Sequence, residues 1–168
     1  MNLVVRHVEA ADVPACFKLW RLLVAEEQST FKDGAAYPVI DLDDQDQVMP
    51  YFNRYARDMM DPDCRFWCAE VDGHIAGFLL AYLYEREQGL PRTFIQVGQM
   101  YVLPAFRGKP LVAKVLEQAV EEWAKETRTD VLQLDCVGTE KQIKRWTRKG
   151  FTPFAVSMYR RAKWTEVQ

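Results

Sequence analysis

A basic loop at the start of a long helix is the part of the sequence best suited to chemistry. The stretch from Met100 to Leu116 reads as the end of a strand, a short loop and the first turns of an amphipathic helix, and the loop carries Arg107 and Lys109. A helix start offers backbone N–H groups without intrahelical partners and the positive end of the helix dipole. Together with two cationic side chains, these groups predict a site for a phosphate-bearing ligand.

The same loop departs from a typical phosphate cradle at two positions. Pro110 and Val112 stand where such a cradle favours glycine. Proline has no N–H and removes one donor, although it is a favourable first helical residue, and valine adds a branched side chain. Two interpretations stay open. The loop either serves only to start the helix, or it still binds phosphate because charge-assisted contacts of roughly 1.5–3 kcal/mol offset the lost donor.

The composition is that of a soluble globular protein. The chain has 168 residues, 49% hydrophobic and 27% charged, which predicts a single domain covering residues 1–168. No apolar run approaches the ~18 residues of a membrane span, and no signal peptide is apparent, so we expect a cytoplasmic protein without a membrane partner. A net charge of −2 argues against nucleic-acid binding. The cysteines lie in apolar patterns away from the two histidines, which favours buried reduced thiols and no metal site.

The hydrophobic periodicity predicts an α/β fold with the element order β-α-α-β-β-β-α-β-α-β. Three antiparallel strands followed by a parallel β-α-β crossover give a mixed, mostly antiparallel sheet with helices on both faces. Asp12 is predicted to cap the first helix, Asp72-Gly73 to form a hairpin turn, and Gly98 to mark a bulge or a close backbone approach. The predicted helices cover residues 12–27, 47–61, 110–127 and 139–149, and the predicted strands cover residues 3–8, 65–71, 74–84, 93–103, 131–137 and 153–161.

Three segments, in this order, resemble the GNAT superfamily of N-acetyltransferases. Tyr101 to Lys109 resembles the family's V-x-P-x-x-R-G-x run, Ala113 to Leu116 lies in the long helix that follows it, and Trp146 to Phe151 is similar to the Y-x-K-x-G-F ending. The match covers nearly the whole chain. The resemblance implies a GNAT fold, acetyl-CoA as co-substrate and an amine acceptor. A GNAT-fold binding or regulatory module without chemistry, and transfer of a bulkier acyl group, are the alternatives.

The resemblance also implies where the donor would bind. Arg107 and Lys109 would meet the pyrophosphate as charge partners, and the amides at the helix start would surround it. The end of the preceding strand would hold the acetyl and pantetheine parts. Trp146 stands where the family often has a tyrosine that protonates the leaving thiolate, and an indole N–H donates a hydrogen bond without giving up its proton. The donor-site residues implied in this way are Met100, Tyr101, Val102, Arg107, Gly108, Lys109, Leu111, Val112, Ala113 and Trp146.

The catalytic positions are less complete. The family often has a glutamate on the strand before the loop, where this chain has Gln96 to Gln99. Glutamine cannot act as a base near neutral pH, but it can orient a water or an acceptor. The catalytic candidates are therefore Gln99, Tyr101 and Glu140. Glu140 can equally serve as a dipole partner in the first turn of a helix, which is the interpretation that we favour.

The acceptor side of the cleft is predicted from the segments around the first two helices. Four aspartates fall within six residues there, and their potential favours a cationic acceptor such as a polyamine, a lysine or an amino sugar. A merely solvated loop is the alternative. Tyr51, Phe52 and Tyr55 could line the acceptor pocket, although we favour a place in the core. The sequence leaves the acceptor and the oligomeric state open, a homodimer included. The four aspartates are Asp41, Asp43, Asp44 and Asp46.

Overall fold

The computed structural model describes residues 2–30, 39–85, 93–108, 111–135 and 139–153. The described elements follow the predicted order, and the predicted last strand, residues 153–161, lies almost entirely outside the described residues. The strands are Leu3–His7 (β1), Cys64–Val71 (β2), His74–Glu85 (β3), Thr93–Val102 (β4) and Leu132–Leu134 (β5). The helices are Val13–Thr30 (α1), Gln45–Asp58 (α2), Leu111–Glu126 (α3) and Glu140–Thr147 (α4).

The five strands form one mixed sheet in the order β1-β2-β3-β4-β5. The pairs β1–β2, β2–β3 and β3–β4 are antiparallel, whereas β4 and β5 are parallel and joined through α3. The predicted crossover is therefore confirmed. Between β2 and β3, Asp72 and Gly73 both have positive φ angles, 48° and 82°, as a tight two-residue hairpin turn requires.

The sheet has a core on each face because successive strand residues point to opposite sides. On β2, Phe66 and Cys68 face one cluster with α1 and α2, while Trp67 and Ala69 face a second cluster under α3. Helices thus cover both faces, as predicted. This arrangement also leaves the C-terminal end of β4 between α1 on one side and α3 on the other.

The aromatic residues of α2 belong to the core, as we favoured from the sequence. Tyr55 is only 2% exposed, and Tyr51 and Phe52 pack against the same cluster. Phe17 meets Phe52 edge to face with ring centroids 5.1 Å apart, and Trp20 stacks on Tyr51 at 4.8 Å. These contacts join α1 to α2 and fix both helices against the sheet.

Three of the four cysteines are free and buried, as their apolar surroundings predict. Cys136 lies outside the described residues. The three are Cys16, Cys64 and Cys68. Burial raises the pKa of each of these thiols, to about 12 for Cys16 and Cys64 and to about 11 for Cys68, so they stay protonated and serve as small apolar side chains.

The ends of α4 follow their local signals. The hydroxyl of Thr139 accepts a hydrogen bond from the amide of Gln142 at 3.3 Å, so Thr139 is the N-cap. Gly150 has a φ of 90° and the amide of Phe151 reaches back to the carbonyl of Trp146 at 3.1 Å. This i to i−5 bond over a left-handed residue is typical of a helix C-terminus.

The prediction for Asp12 was wrong. Asp12 ends a short 3₁₀ turn at Ala10–Asp12 that is capped by Glu9, instead of capping α1 itself. Its Oδ2 accepts from the Glu9 amide at 2.9 Å and from Nη1 of Arg6 at 2.5 Å, and Nη2 of Arg6 also donates to Glu70 at 3.1 Å. The hydrogen bond from Arg6 lowers the pKa of Asp12, against the opposing effect of burial. A partner from another element thus decided a position that local capping rules cannot resolve.

We expect Asp12→Asn to lower the free energy of unfolding by ~1–2 kcal/mol near neutral pH, because it removes a charge-assisted bond. The pKa of Asp12 is depressed in the folded state, so its contribution is present above the ordinary aspartate pKa of about 3.9 and is lost as the pH falls through the folded pKa. Urea unfolding between neutral and acidic pH checks this.

The matched control for this prediction is Asp43→Asn. Asp43 also faces an arginine, Arg21, at 3.5 Å, but its side chain is 99% exposed, so its loss should change stability by less than ~0.5 kcal/mol. Equal losses in the two variants, or a deficit for Asp12→Asn that does not depend on pH, would contradict the assignment.

Candidate functional site

The described ladder between the parallel strands β4 and β5 is short. Their parallel pairing runs only from Ile95–Leu132 to Val97–Leu134. β4 continues to Val102 and stays paired with β3 along its other edge. The C-terminal half of β4 thus runs on past the described ladder with β5. A ligand site is expected beyond the carboxyl ends of neighbouring parallel strands.

A bulge interrupts β4 where the ladder ends. Leu80 lies opposite Gln99 and Ala81 opposite Val97, so Gly98 is one residue extra on the β4 side. A Cβ added to Gly98 would lie 2.8 Å from Cε2 of Tyr82, closer than side chains approach. Gly98 therefore provides both the bulge and the close approach that its position in the sequence predicted.

The bulge places three polar side chains of β4 on one face. Without an extra residue, Gln96 and Gln99 would point to opposite faces, because side chains alternate along a strand. With it, Gln96, Gln99 and Tyr101 share the face towards α1 and α2. Their partners on β3 are, in the same order, Tyr82, Leu80 and Phe78, which pack in or against the core cluster of that face.

Gln99 is oriented by a buried tyrosine. The hydroxyl of Tyr55 on α2 donates a hydrogen bond to Oε1 of Gln99. Burial raises the pKa of Tyr55 well above its usual value, so this phenol is a donor at any physiological pH. Because the carbonyl oxygen of Gln99 is used in this way, its amide NH₂ is the group that can donate to a ligand.

Gln96 binds a carboxylate at the edge of the wedge, which is the region beside β4 beyond the Val97–Leu134 pair. Its Nε2 donates to Oδ2 of Asp135 at 2.7 Å. Asp135 follows directly after β5 and is exposed. The sequence pattern did not single out Asp135. The available signal was its place at the C-terminal end of a strand beside the predicted cleft, where polar residues of parallel strands meet.

Tyr101 and Arg107 share one carboxylate oxygen. Oε1 of Glu26 on α1 accepts from the Tyr101 hydroxyl and from Nη2 of Arg107, each at 2.8 Å. Nε of Arg107 donates to the carbonyl of Val102 at 2.7 Å, and its guanidinium lies 4.8 Å from the centroid of the Tyr101 ring. Glu26 was not among the sequence candidates, since it lies 75 residues from Tyr101.

These contacts shift the pKa values of Glu26 and Tyr101 in opposite directions. Burial tends to raise the pKa of Glu26, but the hydrogen bonds from Arg107 and Tyr101 outweigh it and the pKa is lowered. Burial, and then the bond to Glu26, raise the pKa of Tyr101. Near neutral pH, Glu26 is therefore a carboxylate and Tyr101 a protonated phenol.

The first turn of α3 has an open side and a buried side. Gly108 leads towards it with a φ of 77°, and Lys109 and Pro110 lie outside the described residues. Leu111 is 45% exposed, whereas the side chain of Val112 is 2% exposed and packs in the core under α3. The branched side chain of Val112 thus points away from the solvent side of the helix start. The turn contains no acidic residue that would neutralise the helix dipole.

The two candidates on α4 make contacts within that part of the fold. Glu140 lies in the first turn of α4, is 80% exposed and pairs with Lys144 at 2.5 Å. Trp146 is half-buried and meets Phe151 edge to face, with ring centroids 5.5 Å apart. The cationic groups of Arg145 and Lys149 also lie over the Trp146 ring. The described contacts therefore bring Gln99 close to α2 and Tyr101 close to α1, but they do not bring Glu140 or Trp146 to either.

The described part of the chain contains no group of three or more histidine, cysteine, aspartate or glutamate side chains arranged to hold a metal ion. None of the described helices is long and apolar enough to cross a membrane.

The fold is shared with proteins of known structure, acetyltransferases among them. Aminoglycoside acetyltransferase AAC(6')-Iy, solved with a bisubstrate analogue of CoA and acetylneamine, is 16% identical with a TM-score of 0.69, covering 98% of this chain and 100% of that chain. A tetramutant of the BH1408 protein from Bacillus halodurans is 15% identical with a TM-score of 0.75, and the match covers 95% of this chain and 99% of that chain. A ribosomal-protein-alanine N-acetyltransferase from Brucella melitensis is 18% identical with a TM-score of 0.63, and the match covers 97% of this chain and 100% of that chain.

Similarity to these structures, at such identities, establishes the fold alone. None of the curated protein sequences compared with the chain matches it. The sequence model of the GNAT acetyltransferase family, however, matches residues 19–151, which include most of α1, the bulged strand β4, the loop before α3 and α4. The chain therefore belongs to the GNAT family of acetyltransferases.

Proposed function

We propose that this protein is an N-acetyltransferase that moves an acetyl group from acetyl-CoA to an amine. The observation that carries the proposal is that the bulge places three polar side chains of β4, those of Gln96, Gln99 and Tyr101, on one face beside the end of the described ladder with β5. A structural neighbour binds an analogue that joins CoA to an acetylated amine, which supports a donor and an acceptor meeting in the same wedge.

The donor would bind along β4 and the start of α3. The amides of the first turn of α3 have no intrahelical acceptors and would receive the pyrophosphate, with Gly108 and Lys109 before them. Because Val112 packs in the core, its side chain leaves the solvent side of this turn accessible. The residues from Met100 to Val102 would hold the pantetheine and acetyl parts, with a strand amide on the developing oxyanion.

Asp135 would supply the base that β4 lacks. The acceptor ammonium loses a proton to the Asp135 carboxylate, directly or through a water, and the amine nitrogen then attacks the thioester carbon. The amide NH₂ of Gln99, fixed by Tyr55, would orient the acceptor or that water. The C–S bond breaks as the carbonyl re-forms, and Tyr101 would turn its O–H from Glu26 to protonate the leaving thiolate. The second proton of the acetylated nitrogen then passes through water to Tyr101, and Asp135 releases its proton to solvent. The rest of catalysis is positioning.

A GNAT-fold module without chemistry is the competing function, and Trp146 is the observation that favours it. Its ring is enclosed by Phe151 and two cations, and an indole gives up no proton. Thermal unfolding with and without acetyl-CoA separates the two functions. A ligand at ~100 times its Kd should stabilise the protein by about 2.7 kcal/mol, whereas a module that does not bind the donor should show no shift.

We expect Leu111→Glu to weaken CoA binding by about tenfold or more without destabilising the fold. A carboxylate in the first turn of α3 interacts favourably with the helix dipole, by ~0.3–1 kcal/mol, but repels a pyrophosphate at the same place. Calorimetric titration with CoA gives the affinity, and thermal unfolding gives the stability. Gln118→Glu adds the same charge to the exposed side of α3 and serves as control. Wild-type affinity in Leu111→Glu would exclude this placement.

For the base, we expect Asp135→Asn to lower kcat by about a hundredfold or more, the usual contribution of a positioned base, while CoA still binds. Asparagine keeps an acceptor oxygen for Gln96, so the local structure is retained. Steady-state rates of CoA release measure the effect. Asp130→Asn, on an exposed residue before β5, is the matched control, and Glu140→Gln tests the alternative carboxylate. A loss confined to Glu140→Gln would transfer the role to that residue.

The acceptor is expected to be a cation attracted by the aspartates before and at the start of α2. Asp44 is also the N-cap of α2, since it accepts from the amide of Asp46 at 2.9 Å, so a test should keep it. The variant with asparagine at Asp41, Asp43 and Asp46 should lose roughly three- to tenfold in kcat/KM for cationic amines at low salt, and less at physiological ionic strength.

The control for the acceptor test neutralises three exposed glutamates of α3 instead. A panel of cationic and neutral amines is assayed for CoA release with both variants. Equal losses for cationic and neutral amines, or equal losses in the two variants, would show that these aspartates do not select the acceptor. The control substitutions are Glu121→Gln, Glu122→Gln and Glu126→Gln.

A further inference from the structure

We infer that Glu26 is a positioning residue for the donor loop, and that it acts through Arg107. In this inference, which rests on the proposed function, Arg107 serves mainly as a clamp between α1 and the loop before α3, and less as a direct charge partner of the phosphates. Glu26 lies on a helix of the opposite face from α3, and no family motif quoted above contains it.

Arg107 has three points of attachment, and these lie on two elements, α1 and β4. Glu26 on α1 receives hydrogen bonds from Arg107 and Tyr101 on the same oxygen, each at 2.8 Å. The guanidinium also donates to the carbonyl of Val102 at 2.7 Å and lies over the Tyr101 ring. Because Nε, Nη2 and one ring face are all used, the direction of the Arg107 side chain is fixed from several sides.

The clamp bears directly on the start of α3. The backbone before Arg107 is held by its own bonds, from the amide of Leu103 to Ala76 at 2.9 Å and from the amide of Arg107 to Pro104 at 3.1 Å. Gly108 follows with a φ of 77°, in the left-handed region that glycine adopts more readily than other residues. Holding the Arg107 side chain therefore helps to fix the position from which the chain turns at Gly108.

The charges point the same way. The positive charge of Arg107 is already matched by the Glu26 carboxylate, whose pKa is lowered. A residue paired in this way adds less new attraction to a phosphate than a free cation would. If the clamp positions the loop, removing Glu26 should weaken CoA binding. If Glu26 instead withholds Arg107 from the phosphate, removing Glu26 should strengthen it.

The test compares Glu26→Ala, Glu26→Gln and Arg107→Ala with the double variant Glu26→Ala/Arg107→Ala. Because the pair is nearly half exposed, with side-chain exposures of 47% and 43%, we expect Glu26→Ala to raise the Kd for CoA by about three- to tenfold. Glu26→Gln keeps an acceptor oxygen for both donors and should lie between Glu26→Ala and wild type. The double variant should be no weaker than Arg107→Ala alone, since both changes break one unit.

A second measurement does not depend on CoA. Amide hydrogen exchange across residues 103–108 should be faster in Glu26→Ala and in Arg107→Ala than in wild type, and unchanged in the control Glu121→Ala, which removes an exposed carboxylate from α3. Additive losses of CoA affinity, tighter binding in Glu26→Ala, or unchanged exchange would each overturn the inference. If exchange is faster in the variants but the wild-type protein binds no CoA, both the proposed function and the inferred link to the donor are overturned. The clamp would then be a contact of the fold alone.

Discussion

One extra residue in β4 is the constraint on which the candidate site depends. The bulge at Gly98 reverses the alternation of side chains, so that Gln96, Gln99 and Tyr101 all face α1 and α2. It also lies where the ladder to β5 ends, next to the wedge in which a ligand would sit. A larger residue at this position would require the Tyr82 ring to move, because a Cβ there would lie 2.8 Å from Cε2 of Tyr82. A single glycine thus links the geometry of the sheet to the chemistry of its edge.

The carboxylates near the site come from neighbouring elements and not from β4 itself. Asp135 reaches Gln96 from the end of β5, and Glu26 reaches Tyr101 and Arg107 from α1. Their surroundings differ. Glu26 is tied to a cation and a phenol that lower its pKa, which suits a structural anion. Asp135 is exposed and is held by a neutral amide, which suits a group that exchanges protons with a substrate. This division underlies the separate roles that we propose for the two residues.

The altered loop before α3 shows why the side chain's direction matters as much as its size. Valine at position 112 suggested a blocked phosphate cradle, because its branched side chain stands where the cradle favours glycine. The structure places that side chain among the core residues under α3, 2% exposed. The side chain of Val112 therefore does not enter the cradle, and its backbone still provides an N–H donor. The proline at position 110 removes a donor whatever its surroundings, because its nitrogen carries no hydrogen.

Local patterns in the sequence determined the element order, the hairpin turn, the glycine bulge, the ends of α4 and the basic loop before α3. Each of these depends on neighbours within a few residues, through periodicity, capping and φ preferences. Contacts between distant residues were decided only by the tertiary structure. Tyr55 orients Gln99 across 44 residues, and Glu26 meets Arg107 across 81 residues. Over a shorter separation, Arg6 on β1 binds the Asp12 carboxylate that the local pattern assigned to the cap of α1. The physical reason is that a side chain's charge and hydrogen-bonding capacity are written in the sequence, whereas its partner is chosen by how the helices pack on the sheet.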